Sequence, residues 1–136
     1  MSTQTYRPLV LIVEDDPSVR TLLETLLSAE GYDVATAADG VAGLVKANVA
    51  RPALMLLDLM MPDLSGDRVL EELRGDARLS GVPVIVLTGK LEAVPGLRNL
   101  LGEESVFVKP FGVTELLARV AAVTGGPADL SVHTSD

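Results

Sequence analysis

The sequence predicts an α/β domain, a doubly wound parallel sheet of five strands with helices on both faces. Three observations carry this. Short apolar runs and helix-period segments alternate five times along the chain. The apolar runs are continuous, as in "LVLIV" (9–13) and "ALMLLD" (53–58), which marks strands buried on both faces. Several of them end on a charged or hydroxyl residue, and in such sheets ligands gather at the carboxyl ends of the strands.

The elements follow in order. Residues 1–7 are polar and are expected to be flexible. The first strand is 9–13. Asp16 then fits a helix N-cap with Pro17 at the first helical position, and Val19, Leu22, Leu23, Leu26 and Leu27 fall at helical spacing. Gly31 suits the helix stop. "YDVATA" (32–37) reads as the second strand, and 39–50 as a short helix with Val41, Leu44 and Val45 inward. The third strand is 53–58. The helix 66–75 follows, with Gly66 read as a backbone requirement at its entry. "VPVIVLT" (82–88) is the fourth strand. Pro95 and Gly96 interrupt the next segment, so a loop over 89–94 and a short helix over 95–101 are expected. The fifth strand is 105–109, and the last helix is 112–123 with Val113, Leu116, Leu117 and Val120 on one stripe. From Gly125 the chain is Gly, Pro and polar, so 125–136 is expected to be disordered and the folded domain to span 8–124. Crossovers between the parallel strands are expected to be right-handed.

Composition narrows the function. With 136 residues, 48% of them apolar, the chain is long enough to bury a core. No cysteine is present, so disulfides and thiolate metal sites are excluded; this permits the cytoplasmic location we expect. The formal net charge of −8 leads to an expectation of no direct DNA binding, because phosphate backbones need clustered Lys and Arg. No run approaches membrane-spanning length, so no membrane partner is expected.

The strand ends hold the chemistry. The first strand finishes in Glu14, Asp15 and Asp16, the third in Asp58, the fourth in Thr88 and the fifth in Lys109. A lone buried carboxylate such as Asp58 is costly. If the first and third strands are neighbours, Asp58 faces the acidic cluster, and such a cluster either raises its members' pKa values or recruits a cation. All-oxygen ligands favour Mg²⁺, Mn²⁺ or Ca²⁺, and Mg²⁺ typically takes one or two carboxylates and shares the rest of its shell with water and phosphate. A carboxylate beside the metal can act as a nucleophile toward phosphorus, with Lys109 and Thr88 placed to neutralise and hydrogen-bond the transferred group. Asp16 is read as a cap, and His133, the sole histidine, as incidental.

The pieces "VLIVEDDP" (10–17), "LMLLDLMMPDLSG" (54–66), "PVIVLTG" (83–89) and "VFVKPF" (106–111) together resemble the receiver domain of bacterial two-component response regulators. The resemblance implies a flavodoxin-like sheet in strand order 2-1-3-4-5 with five helices, of which Pro95 and Gly96 make the fourth atypically short here. It implies that Asp58 is the phosphoacceptor, that Asp15 is a direct Mg²⁺ ligand with Glu14 a partner through water, and that the Met60 carbonyl completes the protein ligands. Lys109 would pair with the phosphoryl oxygens and Thr88 would swing inward to them. The Lys109–Pro110 peptide would be cis. The implied donor is a sensor histidine kinase or a histidine phosphotransfer protein.

Two places depart from that family's pattern. The aromatic usual three positions before the lysine is replaced by Val106, with Phe107 beside it. The segment 89–104 lacks a full helix. No output domain is expected beyond residue 124, and the expectation is a stand-alone receiver acting on a downstream protein and not an enzyme. A phosphorylation-independent adaptor with an altered output face is the alternative. A haloacid-dehalogenase-like phosphatase is disfavoured because Met60 stands where its second Asp would be.

Overall fold

The structure, a computed structural model, describes residues 5–129. The main sheet comprises β1 (Leu9–Val13), β2 (Asp33–Ala37), β3 (Leu54–Asp58), β4 (Val84–Thr88) and β5 (Val106–Val108). All pairings are parallel, and the spatial order is β2-β1-β3-β4-β5, as expected. Among the described residues, four helices connect them, α1 (Pro17–Ala29), α2 (Gly40–Ala50), α3 (Gly66–Gly75) and α4 (Val94–Leu101), and a fifth, α5 (Val113–Thr124), follows β5. The fourth is the shortest, eight residues after a 3₁₀ turn at Leu91–Ala93.

Strand alternation divides the core into two layers. Leu11, Val13, Met55, Leu57, Val86 and Val106 face α2, α3 and α4. Val10, Ile12, Leu54, Leu56, Ile85 and Leu87 face α1 and α5 through Leu23, Leu27, Leu116 and Val120. Both faces of the central strands are therefore dry, and polar side chains can emerge only at the strand ends.

Three expectations are corrected. The segments thought loose are partly tied down: Thr5–Tyr6 pairs antiparallel with Ala128–Asp129, Arg7 Nε lies 3.2 Å from Asp33 Oδ1, and a Cβ on Gly31 would meet Pro127 at 3.2 Å. Two-residue pairings carry no periodic signal, so nothing in the pattern announced them. The remainder of those segments, 1–4 and 130–136 with His133, lies outside the described residues.

The face of α2 is reversed at Val41 and Val45, whereas Leu44 packs against the core as expected. Val41 and Val45 are 56% and 58% exposed, and the helix buries Gly40, Gly43 and Ala47 instead. A Cβ on Gly43 would lie 2.8 Å from Val13 Cγ2, so α2 packs too close to β1 for anything larger than glycine there. Periodicity weighs apolarity and ignores size, and the valines share helical spacing with the small residues. Leu22, at helical spacing in α1, and Val113, read as on the stripe of α5, are likewise exposed.

Gly66 is required for space. A Cβ there would sit 2.6 Å from Leu59 Cα and 3.0 Å from the Asp58 carbonyl oxygen, both backbone atoms that cannot turn aside. Gly66→Ala is expected to lower the unfolding free energy by about 1–3 kcal/mol through overpacking. Gly75→Ala, at the far end of the same helix where a Cβ meets nothing within 4 Å, is expected to be neutral or stabilising by up to about 1 kcal/mol. Urea denaturation checks both, and an equal response of the two variants would refute the steric account.

Candidate functional site

The register of the sheet brings together residues far apart in sequence. Val13 pairs with Leu57, Asp58 with Leu87 and Thr88 with Val108, so the residues that end β1, β3, β4 and β5 form one row. Glu14, Asp15 and Asp58 meet there, with one carboxylate oxygen from each within 4.8 Å of the others. Glu14 and Asp58 are buried, at 1% and 3% exposure, and Asp15 is half-buried.

The buried charge is compensated from β5. Lys109, just past Val108, donates from Nζ to Glu14 Oε1 at 2.8 Å and lies 3.6 Å from Asp58 Oδ2. It is followed by a cis peptide to Pro110. The other Asp58 oxygen, Oδ1, accepts the Met60 N–H at 3.1 Å, and Glu14 Oε2 accepts the Asp16 N–H at 3.2 Å. Burial, with the neighbouring Asp58, pushes the Glu14 carboxyl up to about 7 against the pull of the Lys109 ammonium. Burial pulls Lys109 down, but its hydrogen bond to Glu14 and the charge of Asp58 outweigh this and hold it above its usual value.

Asp16 turns away from the cleft. Its Oδ1 accepts the N–H groups of Ser18 and Val19, with Pro17 at the first helical position, so it is the cap of α1. Arg20, one turn into that helix, was not anticipated from sequence. Its guanidinium donates to the Glu14 carbonyl at 2.9 Å and the Asp15 carbonyl at 3.4 Å, fixing the acidic turn from behind. A basic residue one turn after an acidic strand end was the available signal.

Thr88 is fully buried, and its Oγ1 accepts the Lys90 N–H at 2.9 Å. Met60 contributes its N–H to Asp58, and its side chain is exposed at the rim. The strand alternation expected at 106 and 107 holds: Val106 packs in the layer with α4, and Phe107 packs against the opposite layer with α1 and α5. No aromatic therefore stands at the usual position beside Thr88.

Known proteins share this arrangement. The response regulator receiver domain family matches residues 10–121, and the chain belongs to that family. It is 42% identical over 119 residues to the DNA-binding response regulator MtrA of Mycolicibacterium smegmatis, covering 87% of this chain and 51% of that protein. The chain thus spans about half the length of that relative. Among solved structures it is similar to the chemotaxis response regulator CheY4 of Vibrio cholerae, with a TM-score of 0.77 and 30% identity over 87% of this chain and 99% of that one. It is also similar to the receiver domain of the sensor histidine kinase PA1611 of Pseudomonas aeruginosa PAO1, with a TM-score of 0.74 and 29% identity over 89% and 100% of the two chains. That receiver has a magnesium ion coordinated in its active site cleft.

The expectation of no direct DNA binding is overturned by MtrA, a DNA-binding regulator that contains a region matching most of this chain. Net charge was the wrong measure. The electrostatic footprint of DNA binding is local, and the −8 of these 136 residues says nothing of a basic patch elsewhere in a longer regulator. Among the described residues, no helix is long and apolar enough to cross a membrane.

The buried Glu14 yields a pH prediction. A carboxyl raised from 4.5 to about 7 contributes stability that is full below about 4.5 and lost as pH rises through about 7. Asp63 and Asp76, held below their usual 3.8, contribute outside that window. Metal-free protein is expected to melt higher at pH 5.5 than at pH 8, by a difference on the order of 2 kcal/mol. Glu14→Gln should flatten the profile. An equally steep profile in that variant would remove Glu14 as its source.

Proposed function

We propose that the protein is a phosphoacceptor in phosphorelay signalling, taking a phosphoryl group onto Asp58 from a sensor histidine kinase or a histidine phosphotransfer protein. The carrying observation is the buried Asp58 set between two further carboxylates and the Lys109 ammonium. An Asp58 carboxylate oxygen attacks phosphorus, and the P–N bond of the phosphohistidine breaks. The electron pair returns to the ring nitrogen, which leaves as neutral imidazole when its other nitrogen carries a proton. The product is an acyl phosphate on Asp58.

The chain's own residues do the positioning. The Met60 N–H holds Oδ1, which fixes the plane of the carboxylate. Lys109, already 3.6 Å from Oδ2, moves its charge onto the incoming phosphoryl oxygens. Thr88 donates its hydroxyl to them. The all-oxygen donor set of Glu14, Asp15 and Asp58 suits a hard divalent cation, and Mg²⁺ is the cofactor we assign, with the Met60 carbonyl as a further ligand. When bound, it supplies charge compensation for the phosphoryl oxygens. This reading makes the protein a cytoplasmic signalling domain and not a phosphate-ester hydrolase, because Met60 offers no general acid. Its output is a change in affinity for a downstream partner.

Acetyl phosphate with Mg²⁺ is expected to add one phosphoryl mass to wild type and none to Asp58→Ala, read by intact mass spectrometry. Addition to both, or to neither, sinks the assignment. Phosphorylation that leaves partner binding unchanged would favour the adaptor reading, for which Val106 is the supporting observation. Mg²⁺ itself should raise the melting temperature, by the equivalent of about 2.7 kcal/mol at a hundredfold excess over its dissociation constant. The gain should disappear in Asp15→Ala.

A further inference from the structure

Asp63 stands in the loop joining β3 to α3 and takes no part in the acidic cleft. Its carboxylate is bonded to a different element. Oδ1 accepts the Gly40 N–H at 3.0 Å and Oδ2 accepts the Val41 N–H at 3.1 Å. These donors open α2, and at a helix start they have no partner within the helix. The following donor, the Ala42 N–H, goes to Asp39 Oδ1 at 2.7 Å. The start of α2 therefore has two carboxylate caps of different origin. Asp39 is the helix's own N-cap, and Asp63 is lent by the loop that follows the phosphoacceptor strand.

The contact is close. A Cβ on Gly40 would fall 2.6 Å from the Leu64 carbonyl oxygen, so the loop backbone lies directly on the first turn of α2. The two feet of the loop are also joined, by the Gly66 N–H on the Leu59 carbonyl at 3.1 Å. Between the closed base and the pinned apex lies Met60, whose N–H holds Asp58 Oδ1. Desolvation pushes the Asp63 carboxyl up, but the N–H groups of Gly40, Leu64 and Val41 outweigh it and hold it below the usual carboxylate range. It is thus ionised at neutral pH, the form that accepts both bonds.

We propose that Asp63 is a positioning residue for the phosphoacceptor: its paired bonds to the start of α2 fix the loop whose Met60 N–H orients Asp58. The inference rests on the reading of Asp58 as the phosphoacceptor. A helix cap with no further role is the competing account, and Asp39 provides the comparison, because its carboxylate caps the same helix start through the Ala42 N–H and makes no hydrogen bond to the loop among the described residues.

The experiment compares Asp63→Ala with Asp39→Ala. Three properties are read: melting temperature, the rate of phosphorylation by acetyl phosphate, and Mg²⁺ affinity from amide chemical shifts with the Met60 amide followed directly. Both variants should melt lower. Only Asp63→Ala should move the Met60 resonance and lower the rate and the Mg²⁺ affinity, each by about tenfold, the order seen when residues supporting metal ligands are lost. Asp63→Asn, which keeps one acceptor oxygen, should fall between Asp63→Ala and wild type, and it replaces Asp63→Ala in the comparison if that variant fails to fold. Equal effects from the two positions, or no effect of Asp63 on rate, affinity and the Met60 amide, overturn the proposal. Should wild type itself take no phosphoryl group, the reading of Asp58 falls, while Mg²⁺ affinity and the Met60 resonance still decide whether Asp63 positions the loop.

Discussion

Everything at the cleft depends on how the Lys109 ammonium is shared. Two carboxylates that are almost wholly buried, Glu14 and Asp58, sit with a third in a space where unpaired charge is prohibitive. Lys109 bonds one at 2.8 Å and stands off the other at 3.6 Å. One cation against three acids leaves the pocket short of positive charge. Burial, with the nearby Asp58, drives Glu14 upward, and the shortage of positive charge makes the cleft attractive to a hard cation. A second lysine would satisfy the acids and remove the need for a metal. Without Lys109 the burial of Asp58 would have no internal compensation.

The sheet sets these distances. Residues 14, 58, 88 and 109 approach one another because parallel strands in the order β2-β1-β3-β4-β5 end at one level, and each acts one step beyond or at the end of its strand. A shift of one residue in any pairing would send the side chain into an apolar layer. The continuous apolar runs of β1, β3 and β4 hold the register, since both of their faces are packed. Core packing and site geometry are therefore one constraint, and Gly66 shows it in miniature. Its missing side chain makes room for the backbone of Asp58 and Leu59, so a packing vacancy beneath Asp58 is part of the site.

Much of this was legible in the sequence because it was written in long signals. Continuous strands, a Pro17 after Asp16, and charged residues at strand ends survive any small error in boundaries. The strand order and five-helix layout followed from four motifs in sequence order. Other features depended on size or on local partners, and periodicity registers neither. The reversal of α2 came from the space left by Val13, a quantity no hydrophobic pattern records. Arg20 and Asp63 act on backbone groups, so only the spacing of Arg20 after the acidic strand end offered a signal, and Asp63 offered none. The terminal pairing of Thr5–Tyr6 with Ala128–Asp129 is too short to show a period. Charge was misleading for a different reason, because DNA binding depends on local basic patches and a net sum does not register them.

The replacement of an aromatic by Val106 bears on how a change at Asp58 travels outward. A large ring on the α4 side of β5 could exchange buried and exposed positions; a β-branched valine in that buried layer has one strongly preferred rotamer and nothing to swing. Phe107 offers no substitute, since it packs against the other face. The direct link that the structure provides is shorter. Thr88 Oγ1 accepts the Lys90 N–H, and Lys90 begins the 3₁₀ turn that leads into the abbreviated α4. The Thr88 side chain and the loop before α4 therefore share one hydrogen bond. A reorientation of the hydroxyl toward the cleft draws on that bond, and the backbone at Lys90 must find another partner or move. In this chain Val106 and the short fourth helix border the same strand ends, and the Lys90 N–H bond ties the Thr88 side chain to the turn that leads into α4.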